Sequence, residues 1–333
     1  MEVTHVYSFL KGMPYDFETL LKGELFLSFP KTFNDPFDCA TLIDKLQFNR
    51  AFFAQKFGKE ILDKISGYDI MKKVHFYNSI AIVLPLALKT LPEEFDVFEN
   101  LNVIGFEEEC NALYKEYLQA LDQIKNEYGV ACFTLNQPED SMVMWAHYTR
   151  NYKGFCCRFD FDYYNVGTSR ENPETIKIFQ HLNKVDYCSS FSCLDVEQLL
   201  QFHPSELGNS QYVRTTIENA FYKKHNQWQY ENEYRLVIYK NDPDLFKTFE
   251  DAYGFRIKFP YLRWIYAYGP KAKNLKRIVK MCKHLKIRLS WLATNSGSIC
   301  MEENKTMINK SNVNMDLESI MEIQKFSNDI FPF

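Results

Sequence analysis

A chain of 333 residues, 46% hydrophobic and 25% charged, is long enough for one large domain or two modest ones, and it folds around a substantial core rather than staying disordered. Its net charge of −4 gives no global basic field to draw it to nucleic acid or acidic membranes. Nine cysteines without a C-x-x-C pair point to reduced thiols in a cytoplasmic protein rather than to a disulfide scaffold or a zinc site.

The chain opens with an alternating segment, Thr4–Phe9, read as a first strand, and a short helix from Asp16 to Lys22 that Gly23 closes. Glu24–Phe29 reads as a second strand. The turn Thr32–Asp38 follows, with Asn34, Asp35 and Asp38 crowded around Pro36. Those side chains either organise the turn, with Asp38 capping the next helix, or face a ligand. Residues 42–128 are mostly helical in pattern, with Leu42–Phe57, Lys59–Lys73 and Glu107–Glu127 showing apolar residues at three- and four-residue intervals. This block reads as a helical insertion. Its apolar run Ile80–Leu88 is too short to span a bilayer, so no membrane segment is expected.

Val130–Leu135 returns to strand. A helix starting at Pro138 then carries Met144, Trp145, His147 and Tyr148. These rings either pack in the core or line a pocket for a flat or sugar-bearing ligand. Phe155–Phe161 reads as a strand with Phe155, Cys157, Phe159 and Phe161 on one face and Cys156, Arg158 and Asp160 on the other. Asn165–Glu174 reads as a loop, residues 195–202 and 210–225 as helices, and Phe255–Phe259 and Trp264–Tyr268 as strands. A basic helix from about Lys271 to Leu285 precedes strand Ile287–Leu292. Its start, near Gly269, Lys271 and Lys273, suits an anion, although such a segment also serves as a solvated face. The single α+β domain is expected to end near residue 293, leaving 294–333 as a polar tail.

The stretch most loaded with chemistry is Trp228–Tyr239. As a strand it places Tyr230, Asn232, Tyr234, Leu236 and Ile238 on a core face and Glu231, Glu233, Arg235 and Val237 on the other. The two carboxylates would then stand about 7 Å apart. They either pair with Arg235 on a solvated face or project into a cleft. Convergence of Asn34/Asp35, Trp145/His147 and Glu231/Glu233 on one concave site is the expectation.

Phe33–Asp38, Met144–Tyr148 with Gly154–Phe155, Trp228–Arg235 and Gly269–Ala272 together resemble the bacterial domain-of-unknown-function family 2971 over roughly residues 5–290. That resemblance implies a fold family without a reaction. The order of elements also resembles the ADP-ribosyltransferases, including the DarT-like group. There an early strand bears His or Tyr, here His5 or Tyr7, a second bears Ser, here Ser28, and a late strand bears Glu-x-Glu, here Glu231 and Glu233. The Trp-Ala-His-Tyr helix departs from that pattern.

The resemblance implies an α+β fold with a mixed or antiparallel, ADP-ribosyltransferase-like sheet. It also implies NAD as substrate, with Glu233 and Glu231 catalytic and Tyr7 and Ser28 in the nucleotide site; the expected convergence on one cleft adds Asn34, Asp35, Trp145, His147, Tyr148 and Arg235 to that site. The acceptor would be nucleic acid or protein, and the setting that of a toxin or phage-defence effector. Two alternatives stay open on the residues alone. One is a metal-dependent hydrolase or nuclease built from Asp35, Asp38, His147, Glu231 and Glu233. The other is a non-enzymatic module that binds a nucleotide or a partner.

Overall fold

The computed structural model describes residues 3–35, 37–59, 106–161, 178, 180–245, 247–268, 274–295 and 298–302. The expected helix Lys59–Lys73, the run Ile80–Leu88, the loop Asn165–Glu174, the basic start at Lys271 and Lys273, and residues 303–333 therefore lie wholly or largely outside the described residues. The chain divides into two compact units. The first holds Met1–Asn34, Glu127–Tyr187 and Lys224–Phe333; the second holds Asp35–Asn126 and Cys188–Lys223. The second unit thus takes in the span expected as an insertion and adds a later segment to it.

In chain order the strands are β1 (His5–Leu10), β2 (Glu24–Ser28), β3 (Thr41–Leu42), β4 (Tyr128–Thr134), β5 (Phe155–Asp160), β6 (Leu182–Lys184), β7 (Asp186–Cys188), β8 (Ser192–Cys193), β9 (Lys223–His225), β10 (Glu233–Tyr239), β11 (Lys247–Glu250), β12 (Gly254–Lys258), β13 (Leu262–Tyr268), β14 (Arg288–Asn295) and β15 (Ser298–Glu302). Eleven of them form one mixed, mostly antiparallel sheet in the order β11-β12-β2-β4-β1-β5-β13-β14-β15. On its other edge β4 carries β10, which in turn carries β6. Within this sheet β13 and β14 run parallel, joined by the helix Leu275–Leu285. The fold is thus α+β, as the mixture of strands and helices in the sequence implies.

The sheet sorts its residues as period-two alternation requires. One face is apolar: Val6, Phe133, Phe155, Cys157, Phe159, Leu236, Ile238 and Ile265 are buried in the main core beneath Phe17 and Ile278 of two covering helices. The other face is polar and aromatic. Cross-strand register aligns Glu233 with Thr134, Thr134 with Tyr7, Tyr7 with Arg158, Arg158 with Trp264, and Trp264 with Arg288, one row across six strands. The expected division of Phe155–Phe161 between faces appears in this arrangement.

The helix Met142–Tyr148 packs on the polar face, where Met144 and Trp145 join Tyr7, Phe9, Cys156 and Tyr266 in a second cluster. Its exit is sharp: Arg150, Asn151 and Tyr152 all take left-handed backbone conformations, φ between 55° and 67°. L-residues adopt that region at a cost of about 1–2 kcal/mol each. Compensating contacts include Tyr152 N–H donating to the Trp145 carbonyl and the Tyr152 ring stacking near Trp145, at 6° and 6.3 Å. Gly154 follows because a Cβ there would stand 2.0 Å from the Leu10 carbonyl oxygen of β1.

The second unit is built on helices Lys45–Phe57 and Phe106–Lys125, with Phe48, Phe53, Phe106 and Tyr117 buried among them. The first of these is capped by Asp44, whose side chain accepts from Gln47 N–H at 2.8 Å. Asp38 therefore does not cap it. Among the described residues no helix is long and apolar enough to cross a membrane.

Candidate functional site

The stretch Trp228–Tyr239 is not one strand. Asn226–Glu231 forms a 3₁₀ turn, Asn232 ends it in the left-handed conformation at φ 43°, and β10 begins only at Glu233. Asn takes that conformation more readily than other non-glycine residues, so the kink falls on a suitable side chain. Thr134 Oγ1 ties the turn to β4 by donating to the Glu231 carbonyl at 2.5 Å, and Asn136 Nδ2 donates to the Tyr230 carbonyl at 2.6 Å.

The kink aims both carboxylates at one ammonium. Lys224 Nζ donates to Glu231 Oε2 at 2.6 Å and to Glu233 Oε2 at 2.9 Å. Arg235 completes the network, donating from Nε to Glu233 Oε1 at 2.7 Å and from a terminal nitrogen to Oε2 at 3.2 Å. Tyr148 donates its hydroxyl to Glu231 Oε1 at 2.5 Å, and Tyr187 accepts the Glu233 backbone N–H at 2.8 Å. All four charged residues are buried, Arg235 completely. Two cations among two carboxylates balance the charge. Without that balance, burial of any one of them would cost several kcal/mol.

The two carboxylates differ. Burial pushes Glu233 up, but Arg235 and Lys224 outweigh it and hold the carboxyl down at about 2. For Glu231 burial dominates over Lys224 and the Tyr148 hydroxyl, and its carboxyl is raised. Tyr148 is itself pushed up, by burial and by the Glu231 charge its proton faces, so the phenol stays protonated. Glu233 and Glu231 are both buried, and it is Glu231 that the Tyr148 hydroxyl covers. Tyr148 above it is half-buried, and His147 is exposed beside the exposed Tyr230, whose hydroxyl lies 3.4 Å from His147 Nδ1. Lys224 sits 5.1 Å from the centre of the Trp228 ring, within cation–π range.

The remaining residues singled out in the sequence fall in different places. Tyr7 is buried in mid-row and donates to Gln137 Oε1 at 2.6 Å. Trp145 is buried, donating to the Pro138 carbonyl at 2.7 Å and meeting Phe9 edge-on, so its ring is taken up by packing. Ser28 pairs with Val130 of β4, four residues from Thr134, which sets it about 13 Å along the strand from the level of Glu233. Asn34 is exposed at the end of the first unit, while Asp35 belongs to the second and accepts from Phe37 N–H at 2.9 Å. The structure therefore gathers Tyr148, Glu231, Glu233 and Arg235, with His147 alongside.

Lys224 and Tyr187 were not singled out. Lys224 lies at the end of the segment 210–225 expected as helix, which the structure ends at Phe221 before strand β9, and Tyr187 lies outside every motif. Among the described residues no three His, Cys, Asp or Glu side chains gather as metal ligands. The Lys224 ammonium lies between the Glu231 and Glu233 carboxylates.

A family model described as a protein of unknown function, DUF2971, matches residues 144–236. That span starts on the helix above the polar face and ends inside β10, so it contains Trp145, Tyr148, Lys224 and the whole ion network. No curated protein and no solved structure matches the chain. Over residues 144–236 the chain is similar to the DUF2971 family.

Proposed function

We propose that the polar face of the sheet is a nucleotide site and that it serves NAD-consuming transfer of ADP-ribose, with Glu231 as the working carboxylate. The observation that carries this reading is the row Glu233–Thr134–Tyr7–Arg158–Trp264–Arg288. It runs across a face that a core-forming sheet would fill with aliphatic side chains, and it combines rings for a flat base with cations for phosphate.

Breaking the nicotinamide–ribose bond leaves positive charge on the ribose. A fixed carboxylate in a water-poor setting stabilises that charge. Glu233 is committed to two cations and holds the frame. Glu231 has one cation and one phenol, and its proton affinity is raised. The ionised form is the stabilising one, so activity rises with pH through a midpoint above 4.5, the ordinary value for this carboxyl.

The test is nicotinamide release from NAD by the full chain. Glu231→Gln keeps an acceptor for Tyr148 and removes the charge, and it is expected to lose roughly 10²–10³-fold in rate. Unchanged turnover in that variant, or none in the wild-type protein, contradicts the proposal.

A further inference from the structure

Four aromatic side chains border the ion network, and their contacts run in a circuit within the first unit. Tyr148 donates to Glu231 Oε1 at 2.5 Å, and the His147 ring stands 6.3 Å from the Tyr148 ring. His147 Nδ1 lies 3.4 Å from the Tyr230 hydroxyl, and the Tyr230 and Trp228 rings are 6.0 Å apart. Trp228 faces Lys224 Nζ at 5.1 Å, and Lys224 returns the circuit to Glu231 at 2.6 Å. Part of this circuit is open to water. Tyr230 is 40% exposed and His147 is exposed, while Trp228 and Tyr148 are half-buried.

The geometry selects a kind of ligand. The Tyr230 and Trp228 planes are inclined by 39°, so neither ring covers the face of the other. Aromatic faces carry negative charge density and attract cations, as Trp228 already does with Lys224. That ammonium does not make the surroundings positive, because Lys224 and Arg235 are matched by Glu231 and Glu233. The Tyr230 ring, next to Glu231 in the chain and steadied by Trp228 and His147, keeps a surface for a second cation. A flat partner gains the most contact with a flat ring.

We infer that Tyr230, flanked by Trp228 and His147, binds a planar aromatic cation. In the NAD-consuming reading that cation is the nicotinamide ring, which is positively charged in NAD. When its bond to ribose breaks, the electron pair stays on the ring nitrogen and the ring becomes neutral, so these aromatic faces hold substrate better than product. The cation site stands on the contacts; naming nicotinamide as its occupant rests on the proposed reaction and deepens it.

Calorimetric titration of the full chain with 1-methylnicotinamide, a planar cation, and with nicotinamide, its neutral counterpart, tests the site. The wild-type protein should prefer the cation by about fivefold, the scale of an exposed cation–π contact. Tyr230→Ala should lose that preference, and Tyr230→Phe, which keeps the ring, should retain it. Tetramethylammonium, a cation without a ring, should bind more weakly than 1-methylnicotinamide. A wild-type preference below about twofold, an undiminished preference in Tyr230→Ala, a loss in Tyr230→Phe as complete as in Tyr230→Ala, or tetramethylammonium binding as tightly as 1-methylnicotinamide overturns the site. Nicotinamide release from NAD separates the two claims. If it is absent while the preference still depends on the Tyr230 ring, the transfer reaction falls and the cation site stands. If release proceeds without the preference, the cation site falls alone.

Discussion

The two ends of the polar row carry similar side chains in opposite surroundings. At one end Lys224, Glu231, Glu233 and Arg235 are buried, with Glu233 held by both cations and Glu231 by Lys224 and the Tyr148 hydroxyl. At the other Arg158, Trp264 and Arg288 are half-buried or exposed, and Arg288 faces solvent across an indole ring. Charges taken out of water need partners, so Glu233 and its two cations are committed to holding the fold. Charges left at the surface keep their capacity for a ligand. Presence of a Glu-x-Glu-x-Arg pattern therefore says less about catalysis than which of its carboxylates has spare capacity, and here that is Glu231.

The sharpest way to break this contrast is at Glu233. Substitution by Ala leaves Arg235 and Lys224 short of a buried counter-charge and should destabilise the protein by about 3–5 kcal/mol in denaturant titrations. A loss below about 1 kcal/mol would mean that the network is not a frame.

A smaller loss, on the order of 1–3 kcal/mol, is expected for Gly154→Ala, whose new methyl meets the Leu10 carbonyl of β1. Because β5 carries Arg158 in mid-row, this change should disturb both ends together. An unaffected variant would show that β1 and β5 approach each other less closely than described.

Acid sharpens the same comparison. Glu233 has a depressed carboxyl, so its stabilising contribution is present above the unfolded-state value near 4.5 and is lost as pH falls through about 2. The stability gap between wild type and Glu233→Gln should accordingly narrow across that window. A gap that stays constant from pH 5 to pH 2 would contradict the ion pairing.

Much of the scaffold was legible because alternation is a strong signal where one face is core. Thr4–Phe9 and Trp264–Tyr268 announce their strands, and Phe155–Phe161 both its strand and its faces. Trp228–Tyr239 misleads for a physical reason. The alternation of polar and aromatic residues continues through Asn232, and a single left-handed residue leaves no mark on a period-two pattern. Lys224 was hidden because pairing with residues seven and nine positions on depends on that kink. The opposition of Arg158, Trp264 and Arg288 was hidden because it depends on strand order, with β13 between β5 and β14.

At the exposed end the expected stability effect is the smallest. Arg288→Ala should shift unfolding by no more than about 0.5 kcal/mol, as surface substitutions do. A larger shift would place Arg288 in the frame and erase the distinction between the two ends.

The most direct measurement of the central claim is an experimental structure of the full chain with ADP bound. The account predicts the nucleotide lying along the polar row between Tyr7 and Arg288, with Lys224, Glu231, Glu233 and Arg235 still joined. ADP bound away from this face, or bound by displacing Lys224 from the two carboxylates, would contradict it.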